Sequence, residues 1–354
     1  MSEEKNTISQ DIGRKIGFFE KYLPIWIIIC MALGILLSLV IPGISEAIDS
    51  WQVRGISIPI GICLFLMMYP AMLNLQIAEI KKLGKNPKPI ILTLVSNWII
   101  APIIGVTMAL LFLKDAQLIF AIILLSSSPC TAMVLVWGWM AKGNQEQNVI
   151  TTSLNTITII FLYIPVVALL VFIANITLKK NIPLDPILLL ISLTIFIGAP
   201  LLLGIVSKKV LINSRGKDWF ENRYRPIISK IAIGALLMTL VVLFSLNGQI
   251  LIQRPDLLLL VSIPLLLGFA IVVSINMIIT KLTQLNYRNA IITVIIGSSS
   301  HFEIAIAVAV AMYGVGSIAA LGTTMGLFWE VPIMLSLVYI GRYLNKKGFW
   351  KSEK

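Results

Sequence analysis

The sequence predicts an all-α integral membrane protein: ten transmembrane helices in a single transmembrane domain over 1–354. Three observations carry this. The chain is 58% hydrophobic, only 12% charged, and has a mean hydropathy of +0.95. A water-soluble domain carries roughly a quarter charged residues, so most of this surface must face lipid. The apolar residues fall into runs of membrane-spanning length. The Lys and Arg residues sit between those runs with a strong bias to one side.

A bilayer core takes about 20 apolar residues as a helix. On that length the spans fall near 22–41, 56–76, 90–113, 117–140, 149–174, 187–207, 227–246, 257–279, 289–313 and 317–340. The first run has no small-residue cleavage site and reads as a span, not a removed signal peptide. Pro59 and Pro89 mark helix starts, and Ile41-Pro42-Gly43, Asn247-Gly248 and Arg254-Pro255-Asp256 mark turns. Of the 28 Lys and Arg residues, 22 lie on the side of the termini, 5 on the other side, and Lys230 just inside the seventh run. The positive-inside rule then places both termini in the cytoplasm, and a multi-pass protein of the plasma membrane is expected. The same rule accounts for the net charge of +12 without nucleic acid, since no basic groove with interleaved aromatics is present. Cys30, Cys63 and Cys130 all lie in apolar runs, in an odd number and a spacing that suit neither a zinc site nor a disulfide framework.

Ten spans divide into two five-span halves, 22–174 and 187–340, which begin on opposite sides and so form inverted repeats. The fourth span carries Ser126-Ser127-Ser128-Pro129-Cys130-Thr131, and the ninth carries Gly297-Ser298-Ser299-Ser300-His301-Phe302-Glu303. The two Ser triplets are 172 residues apart, about half the chain. Ser runs beside Pro or Gly favour departure from helix. Backbone freed at membrane depth is tolerated only where it is buried in protein or lines a cavity. Spans 4 and 9 are therefore expected to be discontinuous and to cross at the midplane, each second half-helix aiming its N–H groups into a site. The alternative is two ordinary helices with serines at helix contacts.

The candidate site follows from these breaks. Ser126, Ser127, Ser128, Thr131, Ser298, Ser299 and Ser300 are candidate substrate contacts. Glu303 is a membrane-depth carboxylate, a functional hypothesis by default. The helix dipole favours its charged form and desolvation its neutral form, which suits a group that binds and releases a proton. Glu330, within Phe328-Trp329-Glu330-Val331-Pro332, either lines the same site or pairs with Lys230. His301, the one histidine, either shares the proton pathway or has a hydrogen-bonded packing role. Asn155 and Asn97 suit interhelical hydrogen bonding. Cys130 is either a thiol activated beside a helix N-terminus, able to bind soft metalloids, or a small core residue. Cys30 and Cys63 read as structural. No P-loop and no nucleophile–base or metal-ligand set is visible, so neither an enzyme nor an ATPase is expected, and no cofactor.

The stretch from Ser128 to Trp137, with its Cys130-Thr131-Ala132-Met133-Val134 core, resembles the signature of the arsenical-resistance permeases, the ten-span arsenite efflux family. That family lies within the bile acid/arsenite/riboflavin transporter superfamily. Phe302-Glu303-Ile304-Ala305-Ile306-Ala307 is similar to the family's ninth-span motif and Glu330-Val331-Pro332 to its tenth. Met67-Met68-Tyr69-Pro70 and Val242-Leu243-Phe244-Ser245-Leu246 extend the likeness over about residues 20 to 345. The resemblance implies proton-driven efflux of trivalent arsenic or antimony hydroxide through a lipid bilayer. It implies Cys130 and Glu303 as the essential pair, Cys130 holding the metalloid transiently, and no separate ATPase. The chain departs from the family in Ser300-His301 for Asn-Asn, in Asn155-Thr156 for Asn-Asp, and near Asn74, where a Lys is common. These departures bear on ion coupling and selectivity. The other branch of the superfamily offers the alternative function, a sodium-coupled symporter of an organic anion.

Overall fold

The computed structural model describes residues 22–41, 43, 50–53, 56–73, 87–131, 133–179, 182–253, 255–314 and 316–351. Asn74, Ala132 and several of the basic residues counted above lie outside the described residues.

The chain runs through α1 (Leu23–Val40), a two-residue hairpin pairing Gln52–Val53 with Ile56–Ser57, then α2 (Ile58–Leu73). Next come α3 (Pro87–Phe112), α4 (Ala116–Ser126), α5 (Met133–Met140) and α6 (Gln145–Leu178). The second half holds α7 (Pro186–Arg215), α8 (Arg225–Gln253), α9 (Asp256–Leu282), α10 (Tyr287–Ser298), α11 (Phe302–Tyr313) and α12 (Ile318–Lys346). Among the described residues, six helices are long and apolar enough to cross a membrane, and shorter apolar helices accompany them. Apart from the short hairpin, the described residues form helices, and the molecule is a multi-pass membrane protein. Several of its helices run past the apolar runs that located them. The run at 149–174 becomes Gln145–Leu178, 34 residues, or about 51 Å at 1.5 Å per residue, against a hydrocarbon core of about 30 Å.

Polar residues just outside the apolar runs set several helix starts. Asp115 accepts from the Gln117 and Leu118 amides at 2.9 and 3.0 Å and caps α4. Asn144 caps α6, Asp185 caps α7, Asn286 caps α10 and Ser317 caps α12, each side chain accepting an N–H that has no partner in the first turn. Proline shapes the interiors. The π-helical turns at Ser96–Ile100, Thr194–Gly198 and Phe220–Tyr224 each end two residues before a proline: Pro102, Pro200 and Pro226. Proline lacks an N–H and clashes with the carbonyl four residues back; a widened turn relieves both.

Large apolar side chains such as Leu111, Phe161, Ile187 and Leu259 are exposed, the surface that a lipid solvent requires. The interior belongs to the interrupted helices. Leu118 to Leu125 of α4, Asn289 to Ser298 of α10, and Phe302 to Val310 of α11 are buried. In one group of helices α8 packs on α1 and α2, and α2 packs on α7, while α3, α9 and α12 pack around α4, α10 and α11.

Without a hydrophobic drive between helices in lipid, close approach of small residues supplies the packing. Gly322 and Gly326, one turn apart on α12, lie against α4: a Cβ at Gly326 would meet Leu125 Cδ2 at 2.5 Å. A Cβ on Gly105 of α3 would meet Ser126 Cβ at 2.2 Å. Gly105→Leu is therefore expected to displace α4 at the break and to lower the thermal midpoint sharply in detergent. Gly234→Ala, where nothing lies within 4 Å, should leave the midpoint unchanged.

Candidate functional site

The fourth and ninth apolar runs are both broken, as the Ser triplets predict. Helix α4 ends at Ser126 and α5 begins at Met133; α10 ends at Ser298 and α11 begins at Phe302. The two breaks meet. Pro129 and Ser300 pair as an antiparallel bridge, and the His301 amide donates to the Ser128 carbonyl at 2.6 Å.

Several of the backbone groups freed by the breaks find partners from surrounding helices. Asn155 of α6 donates to the Cys130 carbonyl at 3.2 Å. Ser96, in the first π turn, donates to the Gly297 carbonyl at 2.7 Å. Glu330 of α12 accepts from the Ser300 amide at 3.1 Å and from the Ser300 hydroxyl. Ser128 turns its hydroxyl back to the Leu124 and Leu125 carbonyls. This satisfaction is what backbone at membrane depth demands.

A chain of side chains crosses from one break to the other. Thr131 Oγ1 lies 2.8 Å from His301 Nε2, and His301 Nδ1 lies 2.8 Å from Glu303 Oε2. All three residues are buried. Glu303 sits in the first turn of α11, so the N-terminal end of that helix dipole faces its carboxylate. Helix α5 likewise starts at the break that carries Cys130.

The breaks thus bring Ser128, Cys130, Thr131, Ser300, His301 and Glu303 into one buried locus. Asn155 touches it from α6 and Glu330 from α12. Glu330 does not pair with Lys230, which is exposed. The remaining serines stand at its margin. Ser126 packs against Gly105 and Ser298 accepts from Asn276 at 3.0 Å. Ser299 bonds back to its own helix, while Ser127 Oγ has no hydrogen-bond partner among the described residues. Cys30 and Cys63 are half-buried in α1 and α2 and pack on the apolar core. Among the described residues no group of three or more His, Cys, Asp or Glu side chains could hold a metal ion.

Sequence reasoning missed the supporting partners Ser96 and Asn276. It also missed Gln147, whose amide donates to Thr293 Oγ1 at 3.1 Å. The usable signal was a buried amide or hydroxyl in an otherwise apolar helix. Asn97 and Asn155 were legible that way, and they bond each other at 3.2 Å.

The family model of the Sodium Bile acid symporter family matches residues 61–254. The chain belongs to this family. The matched segment includes the first break and stops short of the second. Three relatives cover nearly the whole chain. An uncharacterised transporter of Synechocystis sp. is 37% identical over 96% of the chain and 91% of its own length. The arsenical-resistance protein Acr3 of Alkaliphilus metalliredigens is 33% identical over 96% of each. The Acr3 protein of Corynebacterium glutamicum is 31% identical over 95% of the chain and 92% of its own length. The resemblance drawn from the Cys130 and Glu303 segments therefore extends across the molecule, within a family of membrane transporters.

Asn155 ties the first break to α3 through Asn97. Asn155→Leu should expose the loss of both bonds, at about 1–3 kcal/mol for each buried polar group left unmatched. Removing Asn97 as well should cost less than the two single losses combined, a coupling readable in a double-mutant cycle of thermal midpoints.

Proposed function

We propose that the protein exports trivalent arsenite, and antimonite of the same form, from the cytoplasm by exchange for protons. The observation that carries this is the pairing of two helix breaks, one bearing a thiol and the other a carboxylate. The full-length similarity to two arsenical-resistance proteins supports the substrate class.

The proposed architecture is ten spans in two inverted five-span repeats, 22–174 and 187–340, with both termini cytoplasmic. Corresponding landmarks support the repeat. The caps Asp115 and Asn286 are 171 residues apart, and Asn144 and Ser317 are 173 apart. Ser128 and Ser300, at the breaks, are 172 apart. Asn155 and Glu330 are 175 apart, and each reaches the break of its own half.

In this reading arsenite arrives as neutral As(OH)₃. Cys130 holds it by a soft contact or by exchange, in which a sulfur–arsenic bond forms and one hydroxyl leaves as water with the thiol proton. Hydroxyl side chains at the breaks (Ser127, Ser128, Thr131, Ser300) and the N–H groups that start α5 and α11 suit its remaining hydroxyls. Serines 126, 298 and 299 shape the margin. A single thiol permits release, where several would hold arsenic too tightly. Protonation of Glu303 from outside favours release, and His301, bonded to both Glu303 and Thr131, passes the proton on. Asn155 and Glu330 hold the breaks in register. The halves rock about this fixed site. Lipid, substrate and protons suffice as partners; no ATPase is required.

The family's own description favours a second reading, a sodium-coupled symporter of an organic anion. The two half-helix N-termini would then receive the anion.

The deciding measurement is arsenite uptake into everted vesicles under an imposed pH gradient. Wild type should accumulate arsenite, and Cys130→Ser should fall to background while remaining folded. Glu303→Gln should keep downhill exchange but lose gradient-driven accumulation. Normal uptake by Cys130→Ser removes the thiol from the mechanism. Sodium-driven anion uptake without arsenite transport establishes the second reading.

A further inference from the structure

Helix α6 carries a stripe of polar residues that the transport reading leaves unused. Gln147, Asn148, Thr151 and Thr152 occupy two successive turns of one face, and each is at least 95% buried. Residues three and four apart on a helix are neighbours, about 5–6 Å between Cβ atoms, so the four side chains form one patch. The next residue on this face is Asn155, which bonds the Cys130 carbonyl. The patch lies between the two broken spans. Asn148 donates to the Val134 and Leu135 carbonyls of α5, and Gln147 donates to Thr293 and Asn289 of α10.

These bonds fix both amides with their NH₂ groups spent. The carbonyl oxygens of Gln147 and Asn148 have no hydrogen-bond partner among the described residues, and neither do the hydroxyls of Thr151 and Thr152. Nearby threonines behave differently: Thr156 and Thr158 return their hydroxyls to helix carbonyls at 3.0 and 3.1 Å. Four buried oxygens side by side, all unmatched, are costly unless a small polar ligand meets them. The charged residues on the helices packed here are Glu146, Arg288 and Lys88. All three are at helix starts, and α5 carries none.

We propose that this patch holds internal water and is the proton route between Glu303 and the end of the bundle where α6 and α10 begin. The proposal rests on the proton coupling inferred above. The route enters at Asn144, which bonds Asn289 at 2.8 Å, and passes Gln147 and Asn148, then Thr151 and Thr152. It reaches water beside Asn155, whose amide holds the Cys130 carbonyl, and continues through Thr131 and His301 to Glu303. Water, hydroxyl and imidazole each donate and accept. A proton leaving Glu303 binds His301 Nδ1 while Nε2 gives its own to Thr131 or water. Each later hop forms one O–H bond and breaks one.

Radiolytic hydroxyl-radical footprinting of the full protein in vesicles tests the water directly. The segment from Gln147 to Thr152 should be labelled despite its burial. The double variant Thr151→Val/Thr152→Val should lose the labelling and gain thermal stability, because two unmatched hydroxyls are removed. Its pH-gradient-driven uptake should slow by roughly tenfold, the scale of one lost hydrogen-bonding step, with arsenite binding unchanged. Thr151→Ser/Thr152→Ser should restore the rate. An unlabelled wild type, a lowered midpoint in the valine variant, or labelling suppressed by sodium (which would make the patch a cation site) overturns the proposal. If wild type carries no arsenite, the transport reading fails, and the footprint still decides the hydration of the patch.

Discussion

The His301 amide donating to the Ser128 carbonyl is the contact on which the interior is organised. Two helices interrupted in the buried interior expose backbone groups that need partners there. Pairing the interruptions with each other answers that constraint, and it forces the two broken helices together at one point. Once they meet, the other helices must supply what the pairing leaves over. Asn155, Ser96 and Glu330 each meet one remaining group. The conformational cost of two breaks is thereby met inside the protein.

The same pairing decides the chemistry of the locus. Helices α5 and α11 both begin at the crossing, so their positive ends converge on it. Thr131, His301 and Glu303 lie in hydrogen-bonded sequence across it. Cys130 is held at its carbonyl by Asn155, and Asn155 is held by Asn97 from the widened turn before Pro102. The centre of the site is thus held by hydrogen bonds from α3, α6 and α12.

Small residues do for this bundle what apolar burial does in water. Gly105, Gly322 and Gly326 let α3 and α12 approach α4 to within the space of a methyl group. That closeness sets Ser126 and Glu330 beside the breaks.

The sequence by itself determined the membrane class, the places of the apolar runs and the two interruptions. Hydropathy, charge asymmetry and Ser-Pro or Gly-Ser runs are local properties that need no neighbours to be read. It also marked Cys130, Glu303 and Asn155, because a polar group in an apolar run is conspicuous one residue at a time. Only the tertiary structure decided the partners. Glu330 bonds Ser300 rather than Lys230, and His301 lies hydrogen-bonded between Thr131 and Glu303. The unmatched oxygens beside Asn155 are visible only once α5 and α10 enclose them. Hydrogen bonds between residues some 170 apart depend on how the halves meet, and no local pattern encodes that.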